Sequence, residues 1–328
     1  MTDDIHAALG RMGLIAEGDR PPVTALMGGV SSDILRVDLK DGPVCVKRAL
    51  ARLRVAAEWY APVERNAAEV AWMRFADAIV PGAVPEILGE DRSGQMFAMA
   101  FLDPGTFPVW KDELRDGTID PASARDVGLR LARIQSAAAG DPELATQFAN
   151  HTTFQAIRLE PYLLATAEVH PQCAEPLRAL AETTGSTRIT LVHGDVSPKN
   201  ILIGPDGPVF LDAECATWGD PAFDLAFCLN HMLLKCLWRP HWAARYLDCF
   251  DALSGAYLEG VDWEPRKALE ARAAALLPGL LLGRIDGKSP VEYVTEEADR
   301  NRTREFATTL LHTPVEHLDM VRKRWAEE

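Results

Sequence analysis

The chain has 328 residues, of which 48% are hydrophobic and 25% are charged, a composition typical of a soluble globular enzyme of about two domains. Its 34 basic and 48 acidic residues give a formal net charge of −14, which argues against nonspecific binding to nucleic acid or to an anionic membrane, because both require cations that neutralise phosphate. The same charge modestly favours a cationic or neutral small-molecule partner.

Two further features bear on the compartment. Six cysteines, at positions 45, 173, 215, 228, 236 and 249, include no CxxC pair, so we expect reduced thiols rather than disulfides or a zinc site. The start, MTDDIHAALG, lacks a basic segment before an apolar one, and the longest apolar run, residues 273–282, contains Pro278 and is too short to cross a bilayer. We therefore expect a cytoplasmic protein without a membrane partner.

The first third of the chain alternates strand patterns around one long helix. Residues 24–50 predict three strands, with a turn between the first two and a hairpin between the second and third. The turn holds four small residues, Gly28, Gly29, Ser31 and Ser32. Their backbone amides can approach a phosphate without a Cβ clash, although two glycines at a hairpin tip also serve as ordinary turn residues. The sequence contains no GxxxxGK[ST] phosphate loop.

A lysine interrupts the third apolar strand. Lys47 lies in the run VCVKRAL, and a cation in such surroundings needs an anionic partner. The candidate is Glu69, which borders the apolar stripe of a helix predicted over residues 63–79. Glu58 and Glu64 are alternative partners, and Glu69 could instead be an exposed helix carboxylate. A further strand is predicted over residues 95–102, QMFAMAFL.

From Asp103 onward helical periodicity dominates. The predicted helices span residues 121–139, 154–169, 174–183, 221–237, 241–258, 264–284 and 296–326. The segment 189–227 interrupts them with short strands and carries the most informative residues. We therefore place a boundary after Leu102, between residues 1–102, which are rich in strands, and residues 103–328, which are mainly helical.

Three oxygen-bearing side chains are expected to converge in the segment 189–227. The run ITLV predicts a short buried strand, and Asp195 follows its end in a tight turn. Asn200 stands five residues after Asp195, and Pro198 between them favours a rigid loop that turns both side chains toward one point. Strands at 201–203 and 209–211, joined by GPDGP, predict a hairpin that returns Asp212 beside Asn200.

This arrangement suits transfer of a phosphoryl group. The reaction requires Mg²⁺, a clamp on the nucleotide and a carboxylate aimed at the attacking hydroxyl. Asn200 and Asp212 offer the hard oxygen ligands that Mg²⁺ prefers, with Glu214 as a candidate additional ligand. An HxD element with a later DxE could also form a metallohydrolase site, but the strands around Lys47 favour a kinase.

The pattern HGDxxxxN, followed by a DxE element and by GDPAFDLA, resembles that of the aminoglycoside phosphotransferase and choline kinase-like family of small-molecule kinases. The resemblance covers most of the chain and implies an α+β, protein-kinase-like fold of two lobes, with a small β-rich N-terminal lobe that carries one long helix and a larger, mainly helical C-terminal lobe. Gly194 stands where protein kinases have Arg, and only eleven residues separate Asp212 from Asp224, too few for a long activation segment. A small-molecule acceptor is therefore favoured.

The resemblance also implies roles for individual residues of the catalytic loop. Asp195 accepts the proton of the acceptor hydroxyl, while Asn200 and Asp212 hold Mg²⁺. Asp224 accepts hydrogen bonds from the loop backbone, and His193 supports the loop as a core histidine rather than as an acid or base. Lys199 either neutralises the transferred phosphoryl group or is an ordinary solvated lysine.

The nucleotide-binding residues implied by the resemblance lie in the strand-rich region before Asp103. Lys47 contacts the α and β phosphates of ATP and pairs with Glu69. The adenine binds to the backbone of the segment that joins the lobes, Met99, Ala100, Phe101 and Leu102. This last assignment depends on position alone, because an ordinary buried strand has the same sequence pattern.

The function expected from the sequence is an ATP- and Mg²⁺-dependent O-phosphotransferase that acts on a hydroxyl of a small molecule, such as an aminoglycoside-like antibiotic, an amino alcohol or a sugar. The alternative is a noncatalytic nucleotide-binding regulatory protein of the same fold. Candidate acceptor residues form two groups, one of Arg284, Asp286 and Lys288, and one of His231, Trp238, Arg239, His241 and Trp242. Solvated helix caps explain the first group about as well, whereas packing between helices is the favoured explanation of the second. Trp59, Trp110 and Trp218 could stack on a sugar or a cationic group, but core packing is equally consistent with them.

Overall fold

The structure, a computed structural model, describes residues 2–26, 32–50 and 65–327. Its N-terminal region contains an antiparallel sheet of five strands, β1 (Val23–Ala25), β2 (Ser32–Leu39), β3 (Gly42–Ala49), β4 (Ile87–Asp91) and β5 (Met96–Ala100), in the order β1-β2-β3-β5-β4. The strands predicted over residues 24–50 and 95–102 are confirmed. In the central strand β3, Lys47 lies opposite Ile34 on one side and Phe97 on the other.

A helix covers each face of this sheet, because successive side chains of a strand point to opposite faces. Val44 and Val46 of β3 pack in one cluster with Ile5 and Leu9 of helix α1 (Thr2–Arg11). Cys45, on the other face, belongs to the main core, which includes Val70 and Met73 of helix α2 (Arg65–Ile79). The alternation places Lys47 on the α2 face. Helix α1 was not predicted from the sequence.

The rest of the described chain is mainly helical. Its helices are α3 (Trp110–Asp116), α4 (Pro121–Ala138), α5 (Pro142–Gln147), α6 (His151–Phe154), α7 (Ala165–Val169), α8 (Ala174–Ser186), α9 (Ala222–Trp238), α10 (Ala243–Glu259), α11 (Arg266–Asp286), α12 (Glu297–His312) and α13 (Leu318–Glu327). A π-helix, Gln155–Leu164, joins α6 to α7 and contains Pro161. The prediction of a single helix over residues 296–326 is wrong. The helix is interrupted at Pro314, because helical geometry is disfavoured for the residue before a proline.

Four short strands form two antiparallel pairs within the helical region. They are β6 (Thr190–Val192), β7 (Ile201–Gly204), β8 (Gly207–Phe210) and β9 (Thr217–Gly219). The predicted hairpin is confirmed as β7 and β8, with Ile201 opposite Phe210. Strand β9, which pairs with β6, was not predicted. The two pairs hold the loops that follow β6 and β8, where the candidate site residues lie.

Helix α9 lies at the centre of the helical region, and almost all of its residues are buried. All six cysteines of the chain are buried as well, with free thiols. Within the described ranges, no helix is both long enough and apolar enough to span a bilayer.

Helices α4 and α10 approach each other closely at Gly128. A Cβ atom added there would stand 2.4 Å from the backbone oxygen of Leu253 and 3.1 Å from the backbone nitrogen of Tyr257. Both neighbours are backbone atoms of a packed helix, so they cannot move aside cheaply. The position therefore requires glycine for packing and not for backbone conformation.

We expect Gly128→Ala to destabilise the protein by about 1–3 kcal/mol, because the added methyl group forces α4 and α10 apart. Gly255→Ala is the matched control: it lies on α10, is exposed, and has no atom within 4 Å of the added Cβ. That change is expected to leave stability unchanged or to raise it by about 0.4–1 kcal/mol. Urea unfolding measures both free energies, and equal stability of the two variants would contradict the close contact.

Candidate active site

One buried carboxylate anchors the backbone of the loop after β6. Asp224, in the first turn of α9, accepts hydrogen bonds at 2.8 Å from the backbone amides of both His193 and Gly194. The Gln135 side chain donates a third at 2.9 Å. Burial raises the pKa of Asp224 to about 7, although the backbone donors act in the opposite direction. The role expected for Asp224 is confirmed.

Gly194 is required by the shape of this loop. Its φ angle of +80° lies in the left-handed region, and a Cβ atom added there would meet the backbone oxygen of Cys215 at 2.9 Å. Both features exclude a residue with a side chain. The loop therefore passes directly against the segment that follows Asp212.

His193 is a core histidine, as the sequence analysis favoured. Its ring is buried and meets the ring of Trp72 edge to face at 4.6 Å. Nδ1 accepts a hydrogen bond at 3.1 Å from the backbone amide of Asp195, which identifies Nδ1 as unprotonated. Burial lowers the pKa of the imidazole to about 4. His193 is thus neutral at physiological pH and fixes the loop by packing.

The carboxylate of Asp195 is 3% exposed and is surrounded by donors. The Asn200 side-chain amide donates to its Oδ2 at 2.7 Å, and the guanidinium of Arg158 approaches the same atom to 3.0 Å. Lys199 lies next, with Nζ at 3.3 Å from Oδ2. The Lys199 side chain is about half exposed, at 52%, and the attraction of Asp195 raises its pKa. The four residues form one compact cluster.

Arg158 is a site residue that the sequence analysis missed. It lies on the π-helix, is buried, and donates to the backbone oxygens of Gly194 and, at 2.6 Å, Ile157. The available signal was a single arginine within the largely apolar run QAIRLEPYLL, since a buried cation needs a partner. Because Asp195 is far from Arg158 in the sequence, the local pattern does not indicate that it is the partner.

A buried lysine connects the sheet, α2 and the second loop. Nζ of Lys47 donates to both carboxylate oxygens of Glu69, at 2.6 and 2.8 Å, and to Oδ1 of Asp212 at 2.5 Å. Glu69 is thus the observed partner, while the alternatives Glu58 and Glu64 lie outside the described residues. Burial alone would lower the pKa of Lys47, but Asp212 and Glu69 raise it above its usual range. The lysine is therefore a fixed cation.

Asp212 lies at the end of β8, with a φ angle of +67°, in the left-handed region that only a few non-glycine residues adopt. Such strain is typical of functional positions, where the surroundings maintain it. Burial would raise the pKa of this carboxyl, but Lys47 and Lys199 lower it well below its usual range. Asp212 is ionised across the physiological range.

Asn200 and Asp212 fit the requirements of a Mg²⁺ site. The backbone amide of Leu211 donates to the backbone oxygen of Asn200 at 2.8 Å, so Asp212 follows directly beside Asn200. The Asn200 amide nitrogen is directed to Asp195, which leaves its carbonyl oxygen free to serve as a ligand. No cluster of three or more His, Cys, Asp or Glu suited to a metal occurs among the described residues, and Mg²⁺ commonly uses one or two protein oxygens with water and phosphate.

Glu214 differs from the other two candidate ligands. Its Oε2 accepts a hydrogen bond at 2.8 Å from Nε of Arg65, and both side chains are buried. The ion pair ties the loop after β8 to the first residue of α2. A metal ion bound by Oε2 of Glu214 would therefore compete with Arg65 for that atom.

The expected nucleotide-binding residues divide into three groups. Gly28, Gly29 and Ser31 lie outside the described residues, and Ser32 begins β2 as a buried residue. Met99 is paired with Cys45 in the sheet, and the backbone amide of Ala100 donates to Glu86 at 2.8 Å. Within the described ranges, the backbone groups of Phe101 and Leu102 make no hydrogen bond, so these two residues offer a free backbone edge to an adenine.

The first group of candidate acceptor residues does not form one site. Asp286 binds Arg304 and His170, each at 2.7 Å, and Lys288 binds Glu160 at 2.6 Å. These contacts are structural. Trp110 and Trp218 are also buried in the core, and Trp59 lies outside the described residues.

The second group is partly brought together. Trp238 stacks on Tyr293 at 4.5 Å between ring centroids, and the imidazole of His231 approaches the hydroxyl of Tyr293 at 3.3 Å. His241 and Trp242 instead pack on each other at 4.3 Å, outside this contact. The sequence analysis did not identify Tyr293.

The fold and the geometry of the loops are kinase-like. The phosphotransferase enzyme family, APH, matches residues 22–269 of the chain. The chain therefore belongs to this family, which confirms the resemblance seen in the catalytic motif.

Curated relatives are small-molecule kinases. The chain is 26% identical over 231 residues to a methylthioribose kinase of Escherichia coli O45:K1 (strain S88 / ExPEC), a match that covers 61% of this chain and 54% of that protein. Methylthioribose kinase 1 of Oryza sativa subsp. japonica is 22% identical over 225 residues, with 59% and 51% covered. The chain spans about half the length of these relatives.

Solved structures confirm the fold. A choline/ethanolamine kinase family protein from Mesorhizobium loti superposes with a TM-score of 0.52 at 17% identity, covering 98% of this chain and 99% of that chain. The amicoumacin kinase hAmiN, solved in complex with AMP-PNP, Ca²⁺ and Ami, gives 0.55 at 13% identity, with 97% and 98% covered. The expected α+β, kinase-like fold of two lobes is thereby confirmed.

We expect Glu69→Gln to destabilise the protein by about 3–5 kcal/mol, because the change removes one carboxylate from a buried cation. The control is Glu168→Gln, which breaks an ion pair with Arg178 in which both side chains are more than half exposed. Such pairs contribute about 0–1 kcal/mol. Chemical unfolding measures both values, and a Glu69→Gln variant as stable as the control would show that Asp212 alone balances Lys47.

Proposed function

We propose that the protein is an ATP- and Mg²⁺-dependent O-phosphotransferase that acts on a hydroxyl group of a small molecule. The observation that carries the proposal is the bridge from Lys47 to both Glu69 and Asp212. It joins a cation suited to the phosphates of ATP to a carboxylate suited to Mg²⁺. The loop with Asp195 and Asn200 is hydrogen-bonded to the same strand end, and this proximity of the candidate base, the candidate metal ligands and the cation supports the proposal.

Asp195 is proposed to orient the acceptor hydroxyl and to take its proton. Its carboxylate is fixed by Asn200 and Arg158, so little reorganisation is needed when the hydroxyl binds. The two adjacent cations, Arg158 and Lys199, are suited to stabilise negative charge that develops near the carboxylate. Positioning and electrostatic stabilisation are what phosphoryl transfer chiefly requires.

Asn200 and Asp212 are proposed as Mg²⁺ ligands, with Glu214 as a third once it is released from Arg65. Bound Mg²⁺ would neutralise charge on the phosphates of ATP. Lys47 is proposed to contact the α and β phosphates, the turn with Gly28, Gly29, Ser31 and Ser32 to cover them, and the edge from Met99 to Leu102 to bind adenine. The lobes 1–102 and 103–328 would then enclose the nucleotide between them.

The relatives support a small acceptor, since their names specify methylthioribose, choline or ethanolamine as substrates. Sugars and amino alcohols are therefore the first classes to test. Lys199 is proposed to neutralise the transferred phosphoryl group, because its ammonium already lies 3.3 Å from Asp195.

Asp195→Asn is expected to lower acceptor-stimulated ADP release by about 10²-fold or more, because the amide cannot take the hydroxyl proton. Binding of ATP and Mg²⁺, followed as a rise in melting temperature, should remain. Asp206→Asn, in the exposed turn between β7 and β8, is the control and should turn over normally. Normal turnover by Asp195→Asn would refute the assigned role.

Asp212→Asn is expected to abolish the Mg²⁺-dependent component of the stabilisation by ADP, since ligands that bind only the folded state raise its stability, by about 2.7 kcal/mol at one hundred times Kd. Thermal unfolding with ADP, with and without Mg²⁺, gives this quantity without any turnover. Glu214→Gln in the same assay shows whether Glu214 joins the site: a metal ligand loses Mg²⁺ dependence, while a residue that only pairs with Arg65 keeps it. A wild-type protein with no Mg²⁺-dependent stabilisation would favour the noncatalytic alternative.

A further inference from the structure

A buried lysine, Lys235, lies on α9 and has no acidic partner in the described part of the chain. Lys235 is 1% exposed, and its ammonium makes no hydrogen bond or ion pair within the described region of the chain. Its neighbours are the faces of two aromatic rings, with Nζ at 4.9 Å from the centroid of Trp238 and at 5.0 Å from that of Tyr293. Aromatic faces attract a cation, but they do not accept its protons as an anion would.

Two further donors with unused hydrogen-bonding atoms lie near this lysine or near its aromatic neighbour Tyr293. His231 lies one helical turn earlier on α9, and its Nε2 has no partner among the described residues. Arg284, near the end of α11, donates through Nη1 to the backbone oxygen of Ser289 at 2.5 Å, whereas its Nε is likewise unpartnered within the described ranges. Both side chains are more than nine-tenths buried. The anion cluster, as we call Lys235, His231, Arg284 and the aromatic pair, is therefore rich in donors and poor in acceptors.

The charges that face Lys235 are mostly positive or already paired. Glu292 is bound to Lys111, and Asp112 is bound to Arg115 at 2.7 Å. Burial and the nearby Lys111 lower the pKa of Lys235 to about 7, although Glu292 and Asp112 act in the opposite direction. For His231, burial followed by Arg284, Lys235, Lys199 and Lys111 holds the pKa well below its usual value. An unpartnered cation in such surroundings is costly, which indicates a binding function over a stabilising one.

The anion cluster adjoins the catalytic loop. Helix α3, which carries Lys111, packs against the turn that contains Asn200, and the backbone amide of Ile203 donates to Pro108 at 2.9 Å. On the other side, Arg284 lies 5.5 Å from the ring of Tyr162. Tyr162 is one turn along the π-helix from Arg158, which binds Asp195. The cluster is therefore connected to the region of the proposed base through Tyr162 and the π-helix on one side and through α3 on the other.

We propose that the anion cluster binds a negatively charged group, a carboxylate or a phosphate, on the hydroxylated acceptor. The inference rests on the proposed function, of which it specifies the substrate class. An anionic group with two or more oxygens can accept from Lys235, from Nε of Arg284 and from a protonated Nε2 of His231, and such charge-assisted bonds are the strong ones. The net charge of the chain favours a cationic or neutral acceptor, whereas the positive charges of Lys235 and Arg284 at this site favour an anionic one.

Binding of simple anions tests the proposal without turnover. The protein with ADP and Mg²⁺ is titrated with sulfate, inorganic phosphate, malonate or glycerol, and the melting temperature is followed. The anions should stabilise the wild type, and Lys235→Met should weaken their apparent affinity roughly tenfold or more, since a hydrogen bond to a charged group is lost. Lys267→Met removes one exposed lysine of α11 and should behave as wild type.

Lys235→Met should fold, because a hydrophobic residue of similar volume replaces an unpartnered buried charge. Lys235→Gln provides the same comparison with a second side chain. If the anions stabilise wild type and both variants equally, or stabilise none of them, the proposal is overturned. The Mg²⁺-dependent stabilisation by ADP is a separate quantity, so failure of the anion cluster and failure of the proposed kinase activity are distinguishable.

Matched acceptors then separate carboxylate from phosphate. ADP release is compared for glycerate, glycerol 3-phosphate, glycerol and choline. One of the two anionic compounds should exceed both others, and Lys235→Met should raise its KM at least about tenfold with little change in the KM for ATP. Stimulation by glycerol or choline that equals or exceeds that of the anions would contradict the assigned substrate class.

Discussion

The buried ammonium of Lys47 is the interaction on which the site depends. A cation in the central strand of a sheet cannot be left unpaired, because its desolvation would cost several kcal/mol. Glu69 from α2 and Asp212 from the end of β8 both reach it. The requirement to neutralise one charge therefore positions three elements that are distant in the sequence. On the proposed function, the phosphates of the nucleotide would share Lys47 with these two carboxylates.

The catalytic loop depends on a different principle, the satisfaction of backbone donors. Two successive amides, those of His193 and Gly194, point into the core, and a buried carboxylate from α9 accepts from both. Buried amides without acceptors are rare because each costs the energy of a lost hydrogen bond. Asp224 thus binds the amides of the loop and Arg158 binds the backbone oxygen of Gly194, so Asp195 is fixed before any substrate binds.

Local sequence patterns predicted the regions of the protein whose partners are close in the chain or follow a regular period. The hairpin of β7 and β8, the alternation of β3 and the apolar stripe of α2 are such cases, and they were sufficient to bring Lys47 near Glu69 and Asn200 near Asp212. The contacts of Arg158 and the ion pair of Arg65 with Glu214 could not be predicted, because the partners are far apart in the sequence. Nothing in the local sequence around an arginine indicates which carboxylate it binds. Helix α1 was missed because ten residues give a weak periodic signal.

Helix α9 unites the two sets of polar residues that the sequence had left separate. Asp224 stands in its first turn and Lys235 in its last, and a rise of 1.5 Å per residue places them about 16 Å apart along the axis. Because nearly every residue of α9 is buried, this distance cannot change without disruption of the core. The same rigid helix therefore positions the catalytic loop through Asp224 and positions the anion cluster through Lys235. On the proposed function, an acceptor would have to place its hydroxyl at Asp195 and its anionic group at Lys235 at the same time.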